Sequence, residues 1–372
     1  MGVAVIVGTK KGAAILTSNT RENWSAEFVL KGWNVTASVR DEGGRYYTAI
    51  DNDVFGAAIM VSDDLKEWRQ LENAPRYQPG EKGNPEHIRI KASSDFMGRY
   101  KDAPRLVDQI WTLHAAHGAI YAGVSEAGVF VSRDRGETWA GIDGFNNRPG
   151  REEWPPGFGG LCAHTLLTDA KNPDRIWVGV SSVGLFRSDD GGKSWALKND
   201  GVNQTIGSSC VHRVTHDPAN ADIMYRQDHR GMYMTKNGGD SWTVIETGLP
   251  VGDLSDGHRC SFGFPIVMDK RTQSVFAVPL EGDNFRMPPN GKLAVYRTRD
   301  GGGRWEALDN GLPDGAFVSV LRGAMSADQL DPGGVYFGTS SGAVFASPDL
   351  GGHWSEIASG LPRIGSVEAY VT

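Results

Sequence analysis

One stretch, Phe186 to Trp195 (FRSDDGGKSW), constrains this chain more than any other, because it recurs. A short apolar run leads into it, the chain turns through Ser188, Asp190 and Gly192, and Trp195 returns as an apolar plug. The logic is local: a hydroxyl and a carboxylate bond backbone N–H groups a few residues ahead, and glycine accepts the positive φ of the turn. The same unit stands at Thr298 to Trp305, Ser132 to Trp139, Ser347 to Trp354 and Thr235 to Trp242, with worn copies at Thr17 to Trp24 and Ser62 to Trp68. A chain with seven copies is built by repetition, so its 372 residues read as one repeat-built domain over 1–372.

Aligned on the tryptophans, each repeat offers an apolar run, a turn rich in Asp, Pro, Asn and Gly, a second run, a Gly turn, and a third run entering the box. A fourth run follows, ending in Gly-Leu-Pro, with Pro250, Pro313 and Pro362 each eight residues past the Trp. Four antiparallel strands repeated seven times predict an all-β fold, a seven-bladed β-propeller of four-stranded blades. The first box has only two good strands before it, and GSVEAYVT at the end is a strand without a box. Residues 366 to 371 are therefore expected to pair beside residues 3 to 8 and close the ring, which removes exposed strand edges.

The net charge is -7 and no Lys/Arg run appears, so nucleic acid is not an expected partner. Three cysteines make no disulfide framework. The opening MGVAVIVGTKKG has neither a basic leader nor a long apolar run, and no stretch approaches a membrane span, so a cytoplasmic protein without membrane contact is expected.

The unit S-x-D-x-G-x-T/S-W resembles the Asp-box, or BNR, repeat of sialidases, xyloglucan-degrading glycosidases, sortilin-type receptors and photosystem assembly propellers. The VGTKKG start and GLP endings are similar to bacterial proteins described as sialidase-like or glycosyl hydrolases. The resemblance covers all seven boxes and implies fold more than function. The chain lacks the Arg-Ile-Pro segment of sialidases, and its repeats number seven where those enzymes have six blades. True sialidase activity is therefore not expected.

Successive box tryptophans are 44, 71, 56, 47, 63 and 49 residues apart, and the excess falls at 69–110, 140–163, 249–262 and 279–292. All four insertions follow second or fourth strands, which places them on the top face, opposite the boxes. Loops gathered on one end of a rigid scaffold are where function is grafted. These carry Glu152, Glu153, Glu281 and Asp283 as candidate catalytic carboxylates, and Trp154, Arg259, Arg286 and His87 as candidate contacts to a small polar molecule or saccharide, joined by Gln227 on a separate short top loop and by Arg322. Phe264 and Arg322 fall near the register of His164 and His212 in later repeats.

The pairs Cys162–His164 and Cys210–His212 share one register, and with His229 and His258 they offer imidazoles for a possible divalent metal ion. Three classes of function follow. A glycosidase-like hydrolase would use two carboxyls roughly 5–10 Å apart as acid and base or nucleophile. A metal-assisted lyase or hydrolase would use the histidines. A non-catalytic propeller would use the rim to bind a ligand or protein.

Overall fold

A computed structural model describes residues 1–93, 95, 97–102, 105–203 and 209–372, with Lys101 and Asp102 described as backbone only. The chain folds into seven four-stranded antiparallel sheets, the blades of a seven-bladed β-propeller. Blade 1 is completed by the other end of the chain: Val3–Thr9 pairs with Ile364–Val371, with Val3 opposite Val371 and Gly8 opposite Ser366. That is the expected closure.

Internal contacts divide the chain into two compact units. One is built on Met1–Val35 and His212–Thr372 and carries blades 1, 5, 6 and 7; the other, on Thr36–Asn199, carries blades 2, 3 and 4.

The box turns close as their chemistry dictates. The Ser188 hydroxyl donates to Asp190 Oδ1 at 2.8 Å and accepts the Gly192 N–H at 2.8 Å. Asp190 then accepts the N–H and hydroxyl of Ser194 at 2.9 and 2.6 Å, and Trp195 Nε1 donates to the Gly192 carbonyl at 3.0 Å. Donation from the Ser194 side chain and backbone holds the Asp190 carboxyl down at about 2. Gly192 sits at φ +91°, and the worn copies put Arg21 and Leu65 into the same left-handed region, at +64° and +66°. There the tryptophans still cap the turn, bonding the carbonyls of Arg21 and Leu65.

The Gly-Leu-Pro endings also have a physical reason. The Trp305 and Trp354 N–H groups donate to the carbonyls of Thr247 and Asn310, in the tails of the preceding blades. The next residues, Gly248 and Gly311, lie at φ +92° and +91°, where a Cβ would sit 2.4 and 2.2 Å from the Trp305 and Trp354 carbonyl oxygens. Only glycine lets one blade approach the next so closely.

The insertions are more ordered than the expected loops. Residues 69–110 include the helix Pro85–Ala92, started by the Asn84 side chain accepting from the His87 N–H, and the short helix Arg99–Asp102. Residues 140–163 hold a helical turn Asp143–Asn146 and a 3-10 turn Arg151–Glu153. Residues 249–262 form a small hairpin, Gly252–Asp253 against Arg259–Cys260, and residues 279–292 a 3-10 turn, Pro289–Gly291.

Candidate functional site

In the unit carrying blades 5 to 7, the top loops build one connected cluster. Its foundation is the turn between the second and third strands of blade 5. Arg226 and Asp228, both fully buried, form an ion pair there, with Nε 3.0 Å from Oδ2. Burial pushes the Asp228 carboxyl up while the Arg226 guanidinium opposes it. Between them Gln227, 1% exposed, donates through Nε2 to the carbonyls of Asp228, Gly231 and Ser261. Gln227 thus ties blade 5 to blade 6.

This turn projects His229. Its Nε2 lies 3.4 Å from Asp283 Oδ2, and its ring meets His212 and Phe262 edge to face at 5.6 and 5.3 Å. Burial lowers the His229 pKa despite the Asp283 charge, so the ring is neutral near pH 7. Asp283 accepts the Ser255 N–H at 2.8 Å and the Ser255 hydroxyl at 2.6 Å. Burial works to raise its pKa, but these bonds and His229 outweigh it, and the carboxyl is held below its usual value.

Glu246 is the opposite case. Burial raises its pKa, although the N–H groups of Ser261 and Met232 donate to its Oε1 at 2.9 and 3.1 Å. Both carboxyls act on Cys260: its thiol is pushed up to about 12, first by burial and then by Glu246, Asp228 and Asp283. The cluster therefore holds one carboxyl biased towards the acid form and one towards the carboxylate.

The aromatic floor is Phe264, 2% exposed, against which His212 packs at 4.7 Å. The guanidiniums of Arg322 and Arg286 stand over the same ring at 4.8 and 5.6 Å. Among the other predicted residues of this unit, Arg259 pairs with Asp253 at 3.0 Å in solvent, and Glu281 is exposed. His258 has a buried Nε2 without a hydrogen-bond partner among the described residues.

The unit carrying blades 2 to 4 places its candidates differently. Glu152 and Glu153 are exposed on their 3-10 turn. Trp154 is used in packing: it stacks on Phe186 at 5.2 Å and takes the Arg151 guanidinium at 5.3 Å. His87 is fully buried, its Nδ1 accepting the Leu161 N–H at 2.9 Å, and burial lowers its pKa to about 3. It anchors the helical insertion beside Asp108 and the fully buried Glu126, which Arg151 meets at 2.7 Å. His164 is 3% exposed, against the edge of Trp111.

Among the described residues, no group of three or more His, Cys, Asp or Glu side chains is placed to share a metal ion. A cavity of about 280 Å³ in this unit lies on the box face, lined by Ala115, Ala119, Ile120 and the Asp41–Arg135 ion pair. The expectation that chemistry gathers at the other end does not account for it.

Sequence reasoning missed Glu246, Glu126 and Asp108. Glu246 falls where the equivalent tails carry Asp309 and Ala358, so nothing in the repeat marks it.

No family model matches the chain. Two curated fungal proteins share 26% identity with it: a probable oligoxyloglucan-reducing end-specific xyloglucanase of Neosartorya fischeri over 138 residues, and its counterpart of Emericella nidulans over 145. These alignments cover 36% and 37% of this chain, and it spans about a sixth (16%) of either relative. Among solved structures, a GH74 enzyme of Niastella koreensis superposes with a TM-score of 0.53 at 16% identity, covering 95% of this chain and 47% of its own. The GH74 xyloglucanase of Xanthomonas campestris gives 0.52 at 17%, covering 87% and 45%. YCF48 from Cyanidioschyzon merolae gives 0.53 at 14%, covering 88% and 86%. At such identities the likeness is one of fold.

Proposed function

We propose that this chain is a carbohydrate-active, glycosidase-like hydrolase of the Asp-box repeat kind, acting on a saccharide at the loops of blades 5 and 6. The observation that carries the reading is the split between two carboxyls around Cys260: Glu246 raised by burial, Asp283 held ionised. Glycoside hydrolysis needs that division of labour, one group protonating the leaving oxygen while the other acts as base or nucleophile. Glu246 is assigned as proton donor and Asp283 as carboxylate, with the neutral His229 orienting Asp283. Phe262, Phe264 and His212 supply the apolar wall. The xyloglucanase relatives support a saccharide substrate.

The test is release of reducing ends from xyloglucan oligosaccharides and aryl glycosides. Asp283→Asn and Glu246→Gln should each lower kcat by at least about 10²-fold. Aryl glycosides with good leaving groups should rescue Glu246→Gln and not Asp283→Asn. Wild-type turnover that survives both substitutions would overturn the assignment.

A second reading, a binding propeller, is favoured by one observation: this chain covers 85% of YCF48 bound to D1 peptide and 88% of the Doa1 WD40 propeller, against under half of the GH74 enzymes. Saccharide binding without turnover on any of these substrates would favour it.

A further inference from the structure

We propose that Arg286 and Arg322 form a carboxylate-binding subsite, so that the saccharide taken by this rim is acidic and carries a uronate. This rests on the reading that the rim binds a saccharide.

This rim carries positive charge that no carboxylate among the described residues balances. Other arginines of these loops have carboxylates: Arg226 has Asp228, Arg230 has Asp256, and Arg259 has Asp253. Among the described residues, Arg286 and Arg322 have none. The carboxylate nearest in sequence, Asp283, is occupied by Ser255 and His229, and Arg286 Nε instead meets its main-chain oxygen at 2.8 Å. Arg322 Nε is buried with no hydrogen-bond partner among the described residues. Both cations stand over Phe264, at 4.8 and 5.6 Å. A ring face holds a guanidinium in place but leaves its charge uncompensated and most of its donors unused.

The two arginines are also held together. The Ser319 hydroxyl donates to the Arg286 carbonyl, and the Ala316 N–H donates to Gly291 at 2.7 Å, so the two segments are tied on both sides. Two guanidiniums on one ring, carried by joined segments, offer donors that suit a planar, bidentate carboxylate. Beside them Phe285 and Phe317 are 65% and 68% exposed. Exposed aromatic faces next to paired cations fit a ring with one apolar face and one carboxylate, which a uronic acid has and a free phosphate lacks.

The experiment is calorimetric titration of the whole chain with a glucuronate-bearing oligosaccharide, its carboxyl-reduced neutral counterpart, and inorganic phosphate. The acidic sugar should bind at least about tenfold more tightly than the neutral one, the size of a charge-assisted hydrogen bond. Arg322→Gln should abolish that preference, so that the acidic and the neutral sugar bind alike. Arg286→Gln, at an exposed position that folding tolerates, should reduce it likewise. Equal binding of the two sugars, or a preference that survives both substitutions, would overturn the subsite and leave the saccharide reading standing. Phosphate binding as tight as the acidic sugar would reduce the pair to a simple anion site and overturn the uronate. If neither sugar binds, both readings fall together.

Discussion

Replacing Trp305 tests whether the box tryptophan is more than a plug. Its side chain is 2% exposed and packs among Tyr225, Met232, Ile245 and Ile266. Its Nε1 donates to the Ile245 carbonyl at 2.7 Å. Trp305→Ala removes all of this and should cost about 3–5 kcal/mol, the range for a buried aromatic. Trp305→Phe keeps most of the apolar area but strips the donor from a buried carbonyl, at about 1–3 kcal/mol. Together with the smaller ring, the loss should be about 2–3 kcal/mol, where an apolar plug alone predicts under about 1.5. Trp24, in a worn copy, is only half-buried and bonds the Arg21 carbonyl at a longer 3.3 Å, so Trp24→Ala should cost about 1 kcal/mol. Urea unfolding followed by circular dichroism reads all three midpoints. Equal losses for Trp24→Ala and Trp305→Ala would refute the packing argument, and a Trp305→Phe variant as stable as wild type would refute the hydrogen bond.

Three further outcomes can be measured with the same assay. Gly8→Ala would place a Cβ 2.2 Å from Ser366 Oγ and 2.7 Å from the Val35 carbonyl, so it should cost about 1–3 kcal/mol, whereas Gly159→Ala meets nothing within 4 Å and should be neutral. Burial pushes the Glu368 carboxyl from 4.5 up to about 7 against the opposing charges of Arg213 and Lys270. Its neutral form is therefore favoured in the fold, and stability is lost as pH rises between those values. Glu368→Gln should raise Tm by ~2–4 °C at pH 8 and not at pH 4, and an equal effect at both would refute this. Asp190, held at about 2 against an ordinary 3.8, contributes stability that is full above that ordinary value and lost as pH falls through 2. Asp190→Asn should accordingly be less stable than wild type at pH 7 and equal to it near pH 1.5; a difference that persists in acid would count against the mechanism.

The carboxyl pair suggested here differs from the one visible in the linear order. Glu152 and Glu153 stand beside a tryptophan in sequence, but the turn that carries them points their side chains to solvent while Trp154 folds inward onto Phe186. Adjacency along a chain does not direct neighbouring side chains to one place. Glu246 has no signature in its repeat, and it becomes a candidate because Ser261, from the insertion of the next repeat, and Met232 donate to its partly buried carboxyl.

What the sequence determined by itself is the scaffold. The boxes, the Gly-Leu-Pro endings and the orphan last strand dictate seven blades and their closure, because each depends on contacts within one repeat or between neighbours, and repetition shows the box seven times and the Gly-Leu-Pro ending three times. What only the tertiary structure decided is the chemistry. Burial and charge at Glu246, Asp283, Arg286 and Arg322 arise where insertions from different repeats meet, and each such insertion occurs once. The charge state of a carboxyl is set by the atoms that displace water from around it, and those atoms come from far along the chain.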